Sequence, residues 1–359
     1  MNKAGIITFL HNNNFGSTLQ AYALQKCVAD LGYDCVHLDY CPDTREKILN
    51  LLKSGNDLKL VTEGMRKHAV QSEQAGARVK SESFTAFYRK HMHLTDICHN
   101  RQELKKQSAG MNTLICGSDQ IWSPVWLNPA YFLNFAEKSQ RKVAYAASLG
   151  VKELPVSRKI RKFRALVKDF DAVSVREQEG AALLQEMTGV IPAVMPDPVC
   201  LLTRKEWENI AEIQEQKAPY ILCYFIGESE TYWSRVEQLQ AQTGLDVVVL
   251  PVTAESYEKQ QYTLADGASP EQFLGYVMNA DMVCTDSFHC SLFTLIFGKM
   301  PRIFRRYRED DHESKNSRID QLYRSLNITP ETEVAPESLS SSLNELRSKG
   351  LAWLRESLE

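Results

Sequence analysis

The sequence predicts an α/β protein made of two Rossmann-like domains facing a cleft, and three observations carry that prediction. Short apolar runs alternate with helix-length segments along the chain, the signature of parallel βα units. The chain has 359 residues, more than one hydrophobic core usually organises. The stretch from Asp281 to Arg306, DMVCTDSFHCSLFTLIFGKMPRIFRR, reads as one complete βαβ unit.

That stretch opens with a buried strand, Met282 to Cys284, and a polar turn, Thr285 to Ser287. A helix apolar on most faces, Phe288 to Phe297, stops at Gly298, and a second strand follows at Arg302 to Phe304. In open parallel sheets ligands sit beyond the carboxyl ends of the strands, where helix N-termini offer N–H groups and partial positive charge to an anion. His289 falls in the first turn of such a helix. Two readings stand side by side: a histidine facing an anion, or a packed one behind an ordinary N-cap at Asp286 or Ser287. Cys290 is adjacent but lies about 100° round the helix, so no cysteine–histidine nucleophile pair is read here.

The composition is 43% hydrophobic and 24% charged, with a net charge of -3. This balance argues against a nucleic-acid partner, because such binders usually carry a basic excess or stripe. The nine cysteines are scattered, and Cys116, Cys223 and Cys284 fall inside strand-like runs, so they read as reduced core residues. There is no CxxC pair and no HExxH, and neither a metal nor a cofactor is expected. The N-terminus has no basic n-region, and no apolar run reaches membrane-spanning length. The expectation is a cytoplasmic protein, with peripheral contact at the inner membrane face open to it.

From the N-terminus, a strand is predicted at Ala4 to Leu10, then the loop HNNNFGS, a helix from Thr18 to about Leu31 closed by Gly32, and a strand at Cys35 to Asp39. The loop lacks GxGxxG and is not read as a dinucleotide site. Asn13 and Asn14 both donate and accept, which suits sugar hydroxyls; alternatively Asn12 to Asn14 build a turn in which Gly16 supplies a positive φ. Thr44 to Ser108 reads mostly as polar helix with a basic lean that includes Arg66, Lys67, His68, Arg78 and Lys80. That lean is either a solvated face or a surface for anionic lipid or a diphosphate-bearing acceptor. The strand Asn112 to Cys116 ends in GSDQIW, where Asp119, Gln120 and Trp122 form either a carbohydrate contact surface or an Asp cap over a buried indole. A strand at Val143 to Ala147 ends at Ser148, and a basic helix from Pro155 to Lys168 leads out of the first half. The boundary is placed near Lys168, giving domains over 1–168 and 169–359.

In the second half, the strand Asp171 to Val175 ends at Arg176 and Glu177 before a helix, Glu179 to Met187. Val190 to Met195 leads to the rigid turn Pro196-Asp197-Pro198. The strand Tyr220 to Ile226 ends at Gly227, with Ser229 placed to cap the next helix. Val247 to Leu250 is a strand, and Ser269-Pro270 starts a helix with Pro at its first position. The polar loop Tyr307 to Ser317 is expected to be mobile. A helix begins near Arg318, and an amphipathic helix, Glu337 to Leu358, ends the chain.

Taken in order, HNNNFGSTLQAYALQ, ICGSDQIW, AYAASLG, SVRE, PDPV and ADMVCTDSFHCSLFTLIF resemble the polysaccharide pyruvyl transferase family, from about Gly5 to Leu326. The resemblance implies a two-domain, metal-independent enzyme of the GT-B type. Such an enzyme moves the enolpyruvyl unit of phosphoenolpyruvate onto a sugar diol of a polysaccharide or lipid-linked saccharide as a pyruvate ketal, releasing phosphate. It makes 1–168 the acceptor side and 169–359 the donor side. Carried over by position, His289 matches the family's acid and Arg176 the arginine that holds the donor anion. Where some members have Arg-Leu-His this chain has Ser287-Phe288-His289, so Arg318 is the expected replacement for an arginine missing at Ser287. Gly227 joins Arg176, Ser287 and Arg318 in the donor set; Asn13, Asn14, Asp119 and Gln120 make up the acceptor set.

The chemistry is consistent with these assignments. Phosphoenolpyruvate is a compact anion suited to a bidentate arginine and helix N-terminal amides. Ketal formation needs a proton on the methylene carbon, and histidine is the natural acid near neutral pH. Two other readings stand beside this one. A nucleotide-sugar glycosyltransferase on the same architecture would want a carboxylate for the donor ribose and a base-stacking loop; a catalytically silent glycan-binding protein would account for the arginine missing at Ser287.

Overall fold

Strands buried on both faces need no polar alternation, and the central strands here show little: TLIC, YILCY and MVCT are nearly continuous apolar runs. The computed structural model describes residues 2–54, 77–151, 153, 157–214, 219–305, 317–329 and 336–359. In chain order come β1 (Lys3–Ile7), α1 (Phe15–Asp30), β2 (Asp34–His37), α2 (Thr44–Ser54), α3 (Ala77–His91) and α4 (Arg101–Gln107). Next are β3 (Thr113–Cys116), β4 (Arg141–Ala147), α5 (Ser157–Val167), β5 (Ala172–Val175), α6 (Gln178–Thr188) and β6 (Ala193–Val194). The chain continues through α7 (Arg204–Glu208), β7 (Tyr220–Tyr224), α8 (Glu230–Thr243), β8 (Asp246–Val249), α9 (Ala254–Tyr257) and β9 (Thr263–Leu264). It ends with α10 (Pro270–Asn279), β10 (Met282–Thr285), α11 (Phe288–Ile296), β11 (Arg302–Ile303), α12 (Ser317–Ser325) and α13 (Pro336–Leu358).

Two parallel sheets result, ordered β2-β1-β3-β4-β5-β6 and β11-β10-β7-β8-β9. Each winds outward in both directions from one internal point. In the first sheet the direction switches between β1 and β3, in the second between β7 and β10. At such a point the flanking loops diverge and leave a crevice beyond the carboxyl ends of the strands.

Each sheet belongs to one compact unit. The first unit comprises the described residues of Met1–His68, Tyr88–Leu201 and Leu346–Glu359, the second those of Ala69–Phe87 and Leu202–Glu345. A boundary near Lys168 is therefore wrong. The helix read as an exit, α5, is the crossover from β4 to β5, and β5 pairs with β4 through Val143↔Ala172 and Ala144↔Val173. The βα alternation continues unchanged through this region, so the sequence bears no mark of the real boundary. Arg176 thus lies in the first unit.

The C-terminal helix also divides. In its last turns Arg141 Nε donates to the Ser357 carbonyl at 2.7 Å and Tyr33 Oη to the Leu358 carbonyl at 2.7 Å, while Arg347 Nε donates to Leu201 O at 2.9 Å. A Cβ at Gly350 would come within 2.6 Å of Leu201 and 2.7 Å of the Tyr145 hydroxyl, so only glycine lets the helix lie this close.

Helices were expected over most of Thr44 to Ser108; among the described residues, Met92 to Cys98 is instead extended, with bridges His37↔Leu94 and Tyr40↔Cys98. Arg66, Lys67, His68 and the loop residues 307–316 lie outside the described residues. Trp122 is core: it is 0% exposed, stacks on Phe132 at 5.0 Å and donates its indole N–H to Tyr131 O at 3.0 Å. The indole is therefore unavailable to a carbohydrate. All nine cysteines are free and all but Cys41 are buried, as their place in apolar runs suggests. Among the described residues no helix is long and apolar enough to cross a membrane.

One buried polar side chain gives the first unit a pH dependence. His37, at the end of β2, has a ring nitrogen, Nε2, 3.0 Å from Ala21 O, and its Nδ1 meets no hydrogen-bond partner among the described residues. Burial lowers its pKa from 6.5 to about 4. Below pH 6.5 the unfolded chain therefore takes up a proton that the folded chain refuses, so stability falls as the pH drops towards 4. The expected loss across that window is on the order of 3 kcal/mol. Urea unfolding of wild type and His37→Gln at several pH values should show a shallower acid limb in the variant; parallel profiles would remove His37 as the cause.

Candidate functional site

The crevice of the second sheet is built by one carboxylate. Asp286, at the end of β10, accepts the amides of Ile226 at 2.7 Å and Gly227 at 2.8 Å, tying the loop after β7 to the turn before α11. Thr285 Oγ1 adds a second tie, donating to Tyr224 O at 2.6 Å and accepting from Ser287 N at 3.1 Å. Ser287 is the N-cap, its hydroxyl accepting from Cys290 N. His289 follows in the first turn, 7% exposed, with its ring edge-on to Phe288 at 5.1 Å between centroids. The imidazole is thus held at the switch point by a short, fully bonded turn. Cys290 is buried, and that burial pushes its thiol up to about 12, which leaves no thiolate beside the histidine.

Two of the expected donor contacts are occupied by this framework. The Gly227 amide is committed to Asp286, and the Ser287 hydroxyl caps its own helix. The signal for Gly227 was its place after a strand, which a turn-forming glycine shares with a ligand-binding one. Arg318 lies in α12, but its side chain is outside the described residues.

The crevice of the first sheet is denser in polar contacts. Gln20 on α1 donates to Thr8 Oγ1 at 3.0 Å and accepts Ser118 N at 2.9 Å, while Thr8 donates to Ser118 O at 3.1 Å. These bonds hold the ends of β1 and β3 together. Gly117 is needed here: its φ is +127 and a Cβ would sit 2.0 Å from Tyr145 O. Asp119 accepts Ser17 Oγ at 2.5 Å and Gln120 N at 2.8 Å. Asn12 donates to Ser17 Oγ at 3.0 Å and accepts Asn14 N at 3.2 Å, and Asn14 caps α1 by accepting Ser17 N at 3.1 Å. Asn12 and Asn14 therefore build the turn, as the second reading of the loop has it, but its positive φ falls on His11 and Asn13 and not on Gly16, which lies inside α1. Asn13 and Gln120 are half-buried beside them, with Gln120 packed under Gly150.

Backbone strain concentrates in the same place. Of the six described non-glycine residues with positive φ, three belong to these two loops: His11 at 58°, Asn13 at 46° and Asp119 at 67°. Such a conformation costs of order 1 kcal/mol or more per residue and persists where surrounding bonds enforce it, most often at functional sites.

Arg176 does not have the free charge expected of a donor-binding arginine. It is 5% exposed; its Nε donates to Glu177 at 3.0 Å and its Nη1 to Asp197 at 2.6 Å. Ser148 donates to the same Glu177 carboxylate at 2.8 Å. Burial works against the guanidinium charge, but Glu177, Asp197 and Asp119 outweigh it and raise its pKa. Two carboxylates already compensate one cation, so the group reads as an ion-pair network that fixes the ends of β4, β5 and β6. SVRE and PDPV carry these partners at neighbouring strand ends, and reading them as a pair would have revealed it.

A feature missed in the sequence is a cavity of about 640 Å³ in the second unit, lined by Tyr232 and Arg235 of α8, Arg302, Phe304, Arg305 and Asp320 of α12 among others. Arg235 lies over the Phe304 ring at 5.0 Å, and Arg305 pairs with Asp320 at 3.1 Å. Phe304 N bonds Thr285 O at 2.9 Å, which puts this wall one strand from the turn carrying His289. Split between SRV and PRIFR, these arginines show no spacing by which sequence alone could group them. Among the described residues no three His, Cys, Asp or Glu side chains are placed to hold a metal ion.

The sequence profile described as polysaccharide pyruvyl transferase matches residues 14–304, from the start of α1 to just past β11. The chain belongs to the polysaccharide pyruvyl transferase family. Comparison with curated protein sequences finds no match. Among solved structures, this pyruvyl transferase family member resembles the UDP-GlcNAc 2-epimerase of Neisseria meningitidis bound to UDP-GlcNAc, with a TM-score of 0.50 and 9% identity over 100% of this chain and 99% of the other. It also resembles the UDP-N-acetylglucosamine 2-epimerase of Rickettsia bellii, with a TM-score of 0.50 and 8% identity over 99% and 98% of the two chains. At this identity the likeness is one of fold, and the fold is the GT-B-like α/β architecture of paired Rossmann-like sheets.

The Arg176 network makes a direct prediction. Arg176→Ala should destabilise the first unit by about 3–5 kcal/mol, because it leaves two buried carboxylates without their counter-ion. Urea unfolding checks it, and a variant as stable as wild type would return Arg176 to a ligand-binding role.

Proposed function

We propose that this family member transfers the enolpyruvyl unit of phosphoenolpyruvate to a sugar diol as a pyruvate ketal, with release of phosphate. The observation that carries the proposal is His289, an imidazole fixed in the first turn of α11 at the switch point of the second sheet. Its role is to protonate the methylene carbon of the donor, which makes the adjacent carbon electrophilic. One acceptor hydroxyl then bonds to that carbon, phosphate leaves with the C–O electron pair, and the second hydroxyl closes the ketal. One hydroxyl proton replaces the proton given to carbon, and the other leaves with phosphate.

With Arg176 compensated, the positive potential for an anionic donor is assigned to the second unit, where Arg235, Arg302 and Arg305 line the cavity one strand from the His289 turn. The acceptor is assigned to the first unit, to Asn13, Asp119 and Gln120 around its crevice. No metal or cofactor enters the scheme, so turnover should survive exhaustive chelation. A cytoplasmic site of action, peripheral to the membrane where the acceptor is lipid-linked, fits this chemistry.

The deciding measurement is phosphate release from phosphoenolpyruvate across a panel of saccharides, with mass analysis of the acceptor. Release of a nucleoside diphosphate from a nucleotide sugar instead would replace the proposal with glycosyl transfer. His289→Gln is expected to stay folded and to lose roughly 10²–10⁴-fold in turnover. A variant that loses thermal stability yet turns over normally would make His289 a packing residue.

A further inference from the structure

His11, which no reading so far uses, stands at the carboxyl end of β1 with its Nε2 bonded to a carboxylate oxygen of Asp39. The exposures of the two side chains differ in a useful way: 35% for His11 and 10% for Asp39. The imidazole is open to a ligand while the carboxylate behind it is nearly enclosed. Asp39 itself is held by its backbone on both sides, its N–H donating to Thr95 Oγ1 at 3.1 Å and its carbonyl accepting Cys98 N at 2.7 Å. Tyr88 faces the ring edge-on at 6.4 Å and shares a hydrogen bond of 2.9 Å with Thr18. The φ of 58° at His11 is a conformation that glycine would adopt without cost, yet the chain keeps a histidine there.

A histidine whose one nitrogen is fixed by a buried carboxylate presents the other in a defined direction and tautomer, the arrangement of a general base. With Nε2 carrying the proton shared with Asp39, Nδ1 is left as the acceptor. We propose that His11 is the base that removes the proton of the attacking acceptor hydroxyl, with Asp39 as its positioning residue. This rests on the transfer reading above and adds to it the residue that activates the nucleophile. In the step, the acceptor O–H bond breaks, its electron pair forms the bond from oxygen to the electrophilic donor carbon, and the proton passes to His11 Nδ1. Phosphate departs with the electron pair of the broken C–O bond, and the imidazolium gives up this proton, which leaves with the phosphate. The dyad lies in the unit to which the acceptor is assigned, with His11 on the same loop as Asn13 and Asp39 just after β2.

The test uses the full chain and the variants His11→Gly and Asp39→Asn, with phosphoenolpyruvate and whichever saccharide of the panel releases phosphate with wild type. Glycine suits the backbone at position 11, which offsets part of the cost of leaving Asp39 without its partner, so urea unfolding should show that His11→Gly stays folded under the assay conditions. Its turnover should fall roughly 10²–10⁴-fold and recover in part on addition of free imidazole, which no packing role would produce. Asp39→Asn should lower turnover with little change in the acceptor's KM. A His11→Gly variant that turns over like wild type, or one whose loss imidazole does not relieve, overturns the assignment while the transfer reading stands. A wild-type protein that releases no phosphate with any saccharide overturns that reading and this base with it.

Discussion

The carboxylate of Asp286 does for this fold what a disulfide or a metal does in smaller proteins: it joins two strand ends that the sheet hydrogen bonds do not reach. Parallel strands buried on both faces carry mostly apolar side chains, so most polar function is displaced to their carboxyl ends and the loops beyond them. Those loops diverge at the switch point and would be floppy if left to themselves. Two amides given up to Asp286 and a hydroxyl bridge at Thr285 make the turn before α11 rigid, and the imidazole of His289 inherits that rigidity. The same solution recurs in the first unit, where Gln20, Thr8 and Ser118 bind the ends of β1 and β3.

Much of this was legible in the sequence. The strand and helix order could be read because period and punctuation agree at each element: Gly298 after α11, Ser269-Pro270 before α10, apolar runs at β3, β7 and β10. The position of His289 followed from the same grammar. What could not be read was which polar residues at strand ends bind one another. Asp286, Asp119 and Asp197 look alike as isolated letters, and only their partners, distant in sequence, show that the first closes a loop, the second anchors a serine and the third neutralises an arginine.

Arg176 illustrates the limit. An arginine after a strand in a family that handles an anion is naturally given to that anion, yet two carboxylates take it up first. Burial decides between the two uses, and burial is a property of neighbours that the local sequence does not record. The boundary failed for a related reason. A βα repeat is locally the same in either sheet, so nothing short of strand pairing assigns β5 and β6 to the first.

The division of α13 between the two units bears on how the protein is made. The first unit contains the beginning of the chain and also its end, from Leu346 onward. As the chain is synthesised, β1 to β6 can pair early, but the carbonyls of Ser357 and Leu358 that accept Arg141 and Tyr33 arrive only with the final residues. The second unit, encoded in between, has all its strands available sooner. The unit whose strands are made first is thus sealed after the other, and a nascent chain arrested before Ser357 would hold all strands of the second sheet while the first still lacked these two bonds.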